Sequence, residues 1–309
     1  MTPLHFGVVL PSYGPQAERL ALVDTAQVAE DLGFDAVWLT DHVALPKEDA
    51  ERFGRIFEAI TTLAYLAGVT RKIGLGISAL VLPQRNPVIV AKQMATADRL
   101  SGGRTRLAVG IGWSEGEYRN LGQSFRDRAK RMDEAIQVLR TMWRGPKVVS
   151  YEGTYYTIRR AVMDPGPLQP GGPPLWVAGN SPASLRRAAL LADGWHPNAR
   201  GPETLRSMLS AAKPLLGTRP FDVVLRIRLA WDQAEPPYPG ALHGSTEQVV
   251  QQMARYLAAG ATGFVITFEA ASQRQRERAM QRFMDEARPA LDDLLRTQGA
   301  GLGPLGFQV

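Results

Sequence analysis

Apolar residues along the chain come in short runs separated by stretches with helical spacing. Residues 4–10 are nearly continuously apolar, the pattern of a parallel strand buried on both faces. Leu22, Ala26, Ala29 and Leu32 follow at helical spacing, and Gly33 is placed to end that helix. The alternation then repeats. Strands are expected at 36–39, 72–78, 105–111 and 175–178, interleaved with helices over 56–67, 87–100, 128–143 and 182–191. Pro87 suits a first helical turn. Strands near 194–197, 223–231 and 263–268 are each followed by a helix, over 203–216, 246–258 and 275–295.

Strand–helix alternation predicts an α/β fold with a parallel sheet, and eight pairs favour closure into a (β/α)8 TIM barrel over an open doubly wound sheet. The pattern implies a single domain over 1–296 with a loose Gly-rich tail at 297–309. One insertion, 145–174, breaks the rhythm after the fourth helix. It reads as a small hairpin plus a Pro/Gly-rich loop, either a lid or wall of the site or a packed excursion.

Composition narrows the function. The 36 Lys and Arg residues, only six of them Lys, give a net charge of +6. They are scattered, with no dense run interleaved with aromatics, which argues against nucleic acid as the partner. Cysteine is absent, so disulfides, thiolate nucleophiles and cysteine metal sites are excluded together. The four histidines, His5, His42, His196 and His243, do not form a ligand pattern, so no metal is expected. No secretory signal and no apolar run of membrane-spanning length is present. The expectation is a soluble cytoplasmic protein acting on a small molecule.

In such barrels the chemistry sits at the carboxyl ends of the strands. The second strand ends in Asp41-His42, which can supply a hydrogen-bond donor or a proton relay, or be a structural pair. The third ends in the small residues Ser78 and Ala79. The fourth carries Gly110-Ile111-Gly112-Trp113, two glycines that permit close backbone approach to a flat ring and a Trp able to wall a pocket. It lacks the third glycine of a dinucleotide fingerprint. The fifth ends in Gly179-Asn180-Ser181-Pro182, where Ser181 can cap a helix whose amino end suits a phosphate. No lysine is well placed for a Schiff base, and no carboxylate pair suits a hydrolase.

Taken together these pieces resemble the luciferase-like monooxygenase family, which includes coenzyme F420-dependent dehydrogenases and reductases. The resemblance rests on Gly33-Phe34-Asp35 through Asp41-His42, Pro83-Gln84-Arg85-Asn86-Pro87, Ala95 through Arg104, Gly110 through Trp113, Pro174 through Gly179, Ser181-Pro182 and Ala192-Asp193-Gly194-Trp195. It implies a barrel with the insertion over its mouth, and a cofactor ring across the ends of strands two to four. It also implies a non-proline cis peptide at Ser78-Ala79, with Asp41 and His42 facing the redox edge. The cofactor phosphate would lie near Gly179, Asn180 and Ser181, with Gly194 and Trp195 alongside. Many relatives have His where Asn86 stands, and some deazaflavin dehydrogenases have an acid at the place of Trp113. That leaves His42 as the candidate proton-transfer group, ahead of Glu115 and Glu117. Within the family the chain looks closer to the F420 branch, hydride transfer to or from a small organic substrate. The alternatives are an FMN-dependent monooxygenase fed by a separate reductase, or a flavin-binding barrel without catalysis. The resemblance also implies a homodimer.

Overall fold

The computed structural model describes residues 4–145 and 147–297. The chain opens with β1 (His5–Val9), α1 (Arg19–Asp31) and β2 (Ala36–Leu39), then α2 (Lys47–Phe53), α3 (Ala59–Val69) and β3 (Gly74–Val81). It continues through α4 (Pro87–Ser101), β4 (Thr105–Gly110), α5 (Glu115–Asn120) and α6 (Arg128–Arg144) to a hairpin of β5 (Val148–Glu152) and β6 (Thr157–Val162). The remainder is β7 (Leu175–Ala178), α7 (Pro182–Leu191), β8 (Gly194–His196), α8 (Pro202–Leu216), β9 (Asp222–Trp231), β10 (Leu242–Gly244), α9 (Thr246–Ala258), β11 (Gly263–Phe268), α10 (Gln273–Arg282) and α11 (Arg288–Thr297). The main sheet runs β10-β9-β11-β1-β2-β3-β4-β7-β8, with β8 also paired to β9. This is the eight-stranded α/β barrel expected from the alternation, with β10 as an added strip on β9.

The described residues divide into two compact units, one from β1, 24–38 and 179–297, the other from 11–23 and 39–178. In the first, β1 lies parallel between β2 and β11, with Phe6 opposite Phe264 and Val8 opposite Val37 and Ile266. Its core is aromatic: Phe283 packs against Phe6, Phe34 and Phe268 at centroid distances of 5.6, 5.8 and 5.9 Å. The expected unbroken helix over 275–295 is instead α10 and α11 joined by a π-helical turn at Phe283–Ala287. That wider turn coincides with the ring of Phe283, which is fully buried among these neighbours. On β9, Arg228 pairs with Glu269 at 2.9 Å.

In the second unit, β3, β4 and β7 pair in parallel, with a register shift between Ile77 and Leu80. The cis peptide at Ser78-Ala79 falls within that shift. Helix α3 begins at Ala59, three residues later than its apolar pattern suggests. The segment before it is held by the loop after β1, the Gly14 amide donating to the Phe53 and Arg55 carbonyls and the Phe57 amide to Ser12, while Glu58 caps the helix through the Thr61 amide.

The insertion does not lie as a lid. The hairpin turn is fastened to α6, where the Glu134 carboxylate accepts from the Thr154, Tyr155 and Tyr156 amides and Gln137 accepts from the Tyr151 hydroxyl. The loop beyond it is fastened to α4. The buried Asp98 carboxylate accepts from the Leu168 and Gln169 amides, the Gln169 side chain and the Thr105 hydroxyl. Unpaired amides of an irregular segment need partners, and two helix-borne carboxylates provide them. The insertion is thus a packed excursion along two outer helices. The proposed tail lies outside the described residues, apart from Thr297 at the end of α11.

Candidate active site

Asp41 and His42 follow directly after β2, and both are buried. They do different work. The Asp41 carboxylate is fully covered. Arg85 donates to Oδ1 at 2.6 Å and the Val81 amide to Oδ2 at 2.9 Å, so it ties the end of β3 and the segment after it to the end of β2. Burial pushes its carboxyl above the ordinary value, against the pull of Arg85 and the Val81 amide. Both oxygens of this side chain, expected to face a cofactor, accept from protein donors.

His42 is held by a buried carboxylate. Its Nδ1 lies 2.9 Å from Glu117 Oε2. Gln84 donates to the same oxygen at 3.0 Å, and the Val43 and Ala44 amides donate to Oε1 at 2.6 and 3.2 Å. Burial alone would favour protonation of Glu117, but the hydrogen bonds from His42, the Val43 amide and Gln84 outweigh it and hold the group at about 2. An ionised Glu117 can only accept, so Nδ1 must carry the proton, and the tautomer is fixed by its partner. Nε2 has no hydrogen-bond partner among the described residues. Glu117, one of the alternative proton donors, is therefore the residue that orients His42. Glu115, the other, is exposed on the outside of α5.

Two aromatic rings flank His42, and a third packs behind one of them. Phe53 lies 4.6 Å from its ring, Trp113 meets it edge-on at 5.7 Å, and Phe53 and Trp113 stack at 6.0 Å. Tyr13 packs on Phe53 at 5.5 Å. Neighbouring loops fix this cluster. Ser114 donates to Asp49 on α2, and Asn120 donates to the Ala44 carbonyl at 2.8 Å.

Beside it, the otherwise buried strand ends open at small residues. Ala79 is the one partly exposed residue of β3, and Gly110, Ile111, Gly112 and Ala178 are also partly exposed. A Cβ built on Gly110 would stand 3.6 Å from Ala79 Cβ and 3.9 Å from Ala178 Cβ, so these groups form one shallow floor without a projecting side chain. Such a floor fits a flat ring. Gly112 is required by the backbone: φ is +68°, and a Cβ would sit 2.6 Å from Val81 Cγ1. Ser78 is buried and supports the floor rather than lining it.

In the other unit, Gly179 adopts φ +128° and Ser181 caps α7 by accepting from the Ser184 amide at 3.1 Å. Asn180 and Asn198 bond to each other, side chain to carbonyl at 2.6 Å and amide to side chain at 3.2 Å. Gly194 and Trp195 are buried, and the Trp195 indole donates to the Gly179 carbonyl at 2.9 Å. Those two residues hold the turn from beneath; Asn180 and Ser181 are its more open members. No group of His, Asp and Glu able to hold a metal ion occurs among the described residues.

The sequence offers Glu117 only as a weaker proton-transfer candidate and assigns no role to Gln84 or Phe53. Pro46-Lys47-Glu48-Asp49 is a legible helix start with an acidic first turn, and it would have placed Phe53 on α2. Nothing in the spacing marks Glu117 over Glu115.

A buried His–carboxylate pair and an open floor lie at the strand ends, the face where barrel enzymes carry their chemistry. The family model of luciferase-like monooxygenases matches residues 4–235. An uncharacterised protein of Mycobacterium tuberculosis is 32% identical over 219 residues, covering 65% of this chain and 74% of its own length. An F420-dependent glucose-6-phosphate dehydrogenase of Microbacterium testaceum is 33% identical over 199 residues, 62% of this chain and 56% of that one. Among solved structures, an F420-dependent secondary alcohol dehydrogenase in complex with an F420-acetone adduct superposes with a TM-score of 0.79 at 20% identity, over 94% of this chain and 99% of that one. The chain belongs to the luciferase-like monooxygenase family.

Proposed function

We propose that this chain is a coenzyme F420-dependent oxidoreductase that moves a hydride between the cofactor and a small organic substrate. The observation that carries the reading is the His42–Glu117 pair, with a fixed tautomer and a free Nε2, next to a floor of small residues. The names of the relatives support the choice of F420.

When bound, the deazaflavin supplies a two-electron hydride acceptor or donor. The protein residues have separate duties. Ala79, Gly110, Ile111 and Gly112 leave room for a flat ring to lie against the strand ends. Asp41 and Ser78 support that floor from below. His42 Nε2 accepts the proton of a substrate hydroxyl, or returns it in the reverse direction. Glu117 stabilises the imidazolium that results, and general acid–base help of this kind is worth roughly 10²–10⁴-fold. Phe53 and Trp113 keep water from the ring of His42. For the cofactor's phosphate we propose the turn Gly179-Asn180-Ser181, held by Gly194 and Trp195. In this reading the protein works in the cytoplasm as a homodimer.

The test is an absorption titration of the purified protein with F420 and, separately, with FMN, followed by turnover of the His42→Ala variant. The reading expects tight F420 binding, and a loss of roughly 10²–10⁴ in turnover at unchanged cofactor affinity. Binding of FMN alone would point to an oxygen-using monooxygenase fed by a separate reductase, and binding of neither would overturn the proposed floor. Cofactor that binds but that no donor or acceptor reduces or reoxidises would leave a carrier without catalysis.

A further inference from the structure

The surroundings of His42 specify what kind of substrate it serves. Apart from the Trp113 indole and the Tyr13 hydroxyl, the polar side chains near it are already engaged. Asp41 holds Arg85 and the Val81 amide, Arg85 also reaches Glu58 at 3.1 Å, Glu117 accepts four hydrogen bonds, and Gln84 donates to Glu117. Ser114 is taken up by Asp49 and the Glu117 amide, and Asn120 by the Ala44 carbonyl. The two atoms of this group without a partner, Gln84 Oε1 and Arg85 Nε, are sealed from solvent. What remains open is mainly ring surface. Trp113 is 48% exposed even though Phe53 stacks on it and His42 meets its edge. A large ring half-exposed and held rigid from two sides is a preformed contact surface for an apolar group.

Resting on the F420 reading, we infer that the substrate is a neutral alcohol or carbonyl compound with an apolar or aromatic group beside the reacting carbon, and that Trp113 and Phe53 select for it. One oxygen meets His42 Nε2, and the flanking apolar group lies on Trp113. A sugar phosphate would bring several hydroxyls and a dianion to a wall where only the Trp113 indole and the Tyr13 hydroxyl are left to donate. In the oxidative direction the carbinol carbon gives up its hydrogen with both bonding electrons to the deazaflavin, the hydroxyl proton passes to His42 Nε2, and the C–O bond becomes C=O. The reverse consumes one hydride and one proton.

The experiment has a binding arm and a turnover arm. Acetophenone is titrated calorimetrically into the cofactor-free protein and into its Trp113→Ala and Trp113→Phe variants. Turnover with F420 is then compared for 1-phenylethanol and glucose 6-phosphate. We expect acetophenone to bind, Trp113→Ala to weaken it roughly tenfold or more, and Trp113→Phe to retain most of the affinity. 1-Phenylethanol is expected to be oxidised in preference to glucose 6-phosphate. Acetophenone that fails to bind, binding that ignores Trp113→Ala, or preferred turnover of glucose 6-phosphate would each overturn the inference. The ketone titration needs no cofactor, so failure of F420 to bind would remove the cofactor assignment without touching this result.

Discussion

Replacing Glu117 with Gln tests the centre of the site, because one carboxylate there serves four donors. Glutamine keeps the shape but presents an NH2 group to at least one of the His42 ring, the Gln84 amide, or the Val43 and Ala44 amides, all of which donate. The fall of the Glu117 carboxyl from 4.5 to about 2 corresponds to about 3 kcal/mol of native-state stabilisation, at ~1.4 kcal/mol per pH unit. A lowered folded-state value means this stabilisation is present above pH of about 4.5 and disappears as pH falls through about 2. Thermal melts should therefore show Glu117→Gln less stable at pH 7 by about 3 kcal/mol, roughly 5 °C for a chain of this size. The difference from wild type should shrink as the melts are repeated between pH 5 and pH 3. Turnover should fall roughly 10²-fold or more, since His42 loses the partner that fixes its tautomer. In a His42→Ala background the same substitution should cost little further activity. Equal melting at pH 7, or an undiminished loss of turnover in the His42→Ala background, would refute the claim that Glu117 acts through His42.

Gly112→Ala should destabilise the fold by about 1–3 kcal/mol, because φ is +68° and the new methyl meets Val81 Cγ1 and Tyr118; a thermal melt reads it. Gly110→Leu should abolish F420 binding at near-normal far-UV circular dichroism, since Gly110 has no steric demand of its own beyond ordinary contacts; retained binding would move the ring elsewhere. Asp98→Ala should free the loop on α4 by removing four hydrogen bonds, each worth ~1 kcal/mol or more. Limited proteolysis should then cut within 163–171 much faster than in the wild type.

Much of this protein was legible in one dimension. Strands buried on both faces must be apolar throughout, and helices covering them must be apolar on one side, so the eight pairs and most of their boundaries followed from periodicity alone. Asp41 and His42 could be assigned to the site because barrel geometry sends the residue after a strand to the reacting face. Tertiary structure decided the rest. Asp41 and His42 are adjacent in sequence, yet one ties Arg85 and β3 together while the other pairs with Glu117, seventy-five residues away. Nothing local separates Glu117 from Glu115. One is buried against four donors and the other is exposed, a difference set by how α5 packs. The insertion could have been a lid until Glu134 and Asp98 were seen to hold its amides. Sequence dictates which groups need burial or a partner; only the packed chain determines which partner each one meets.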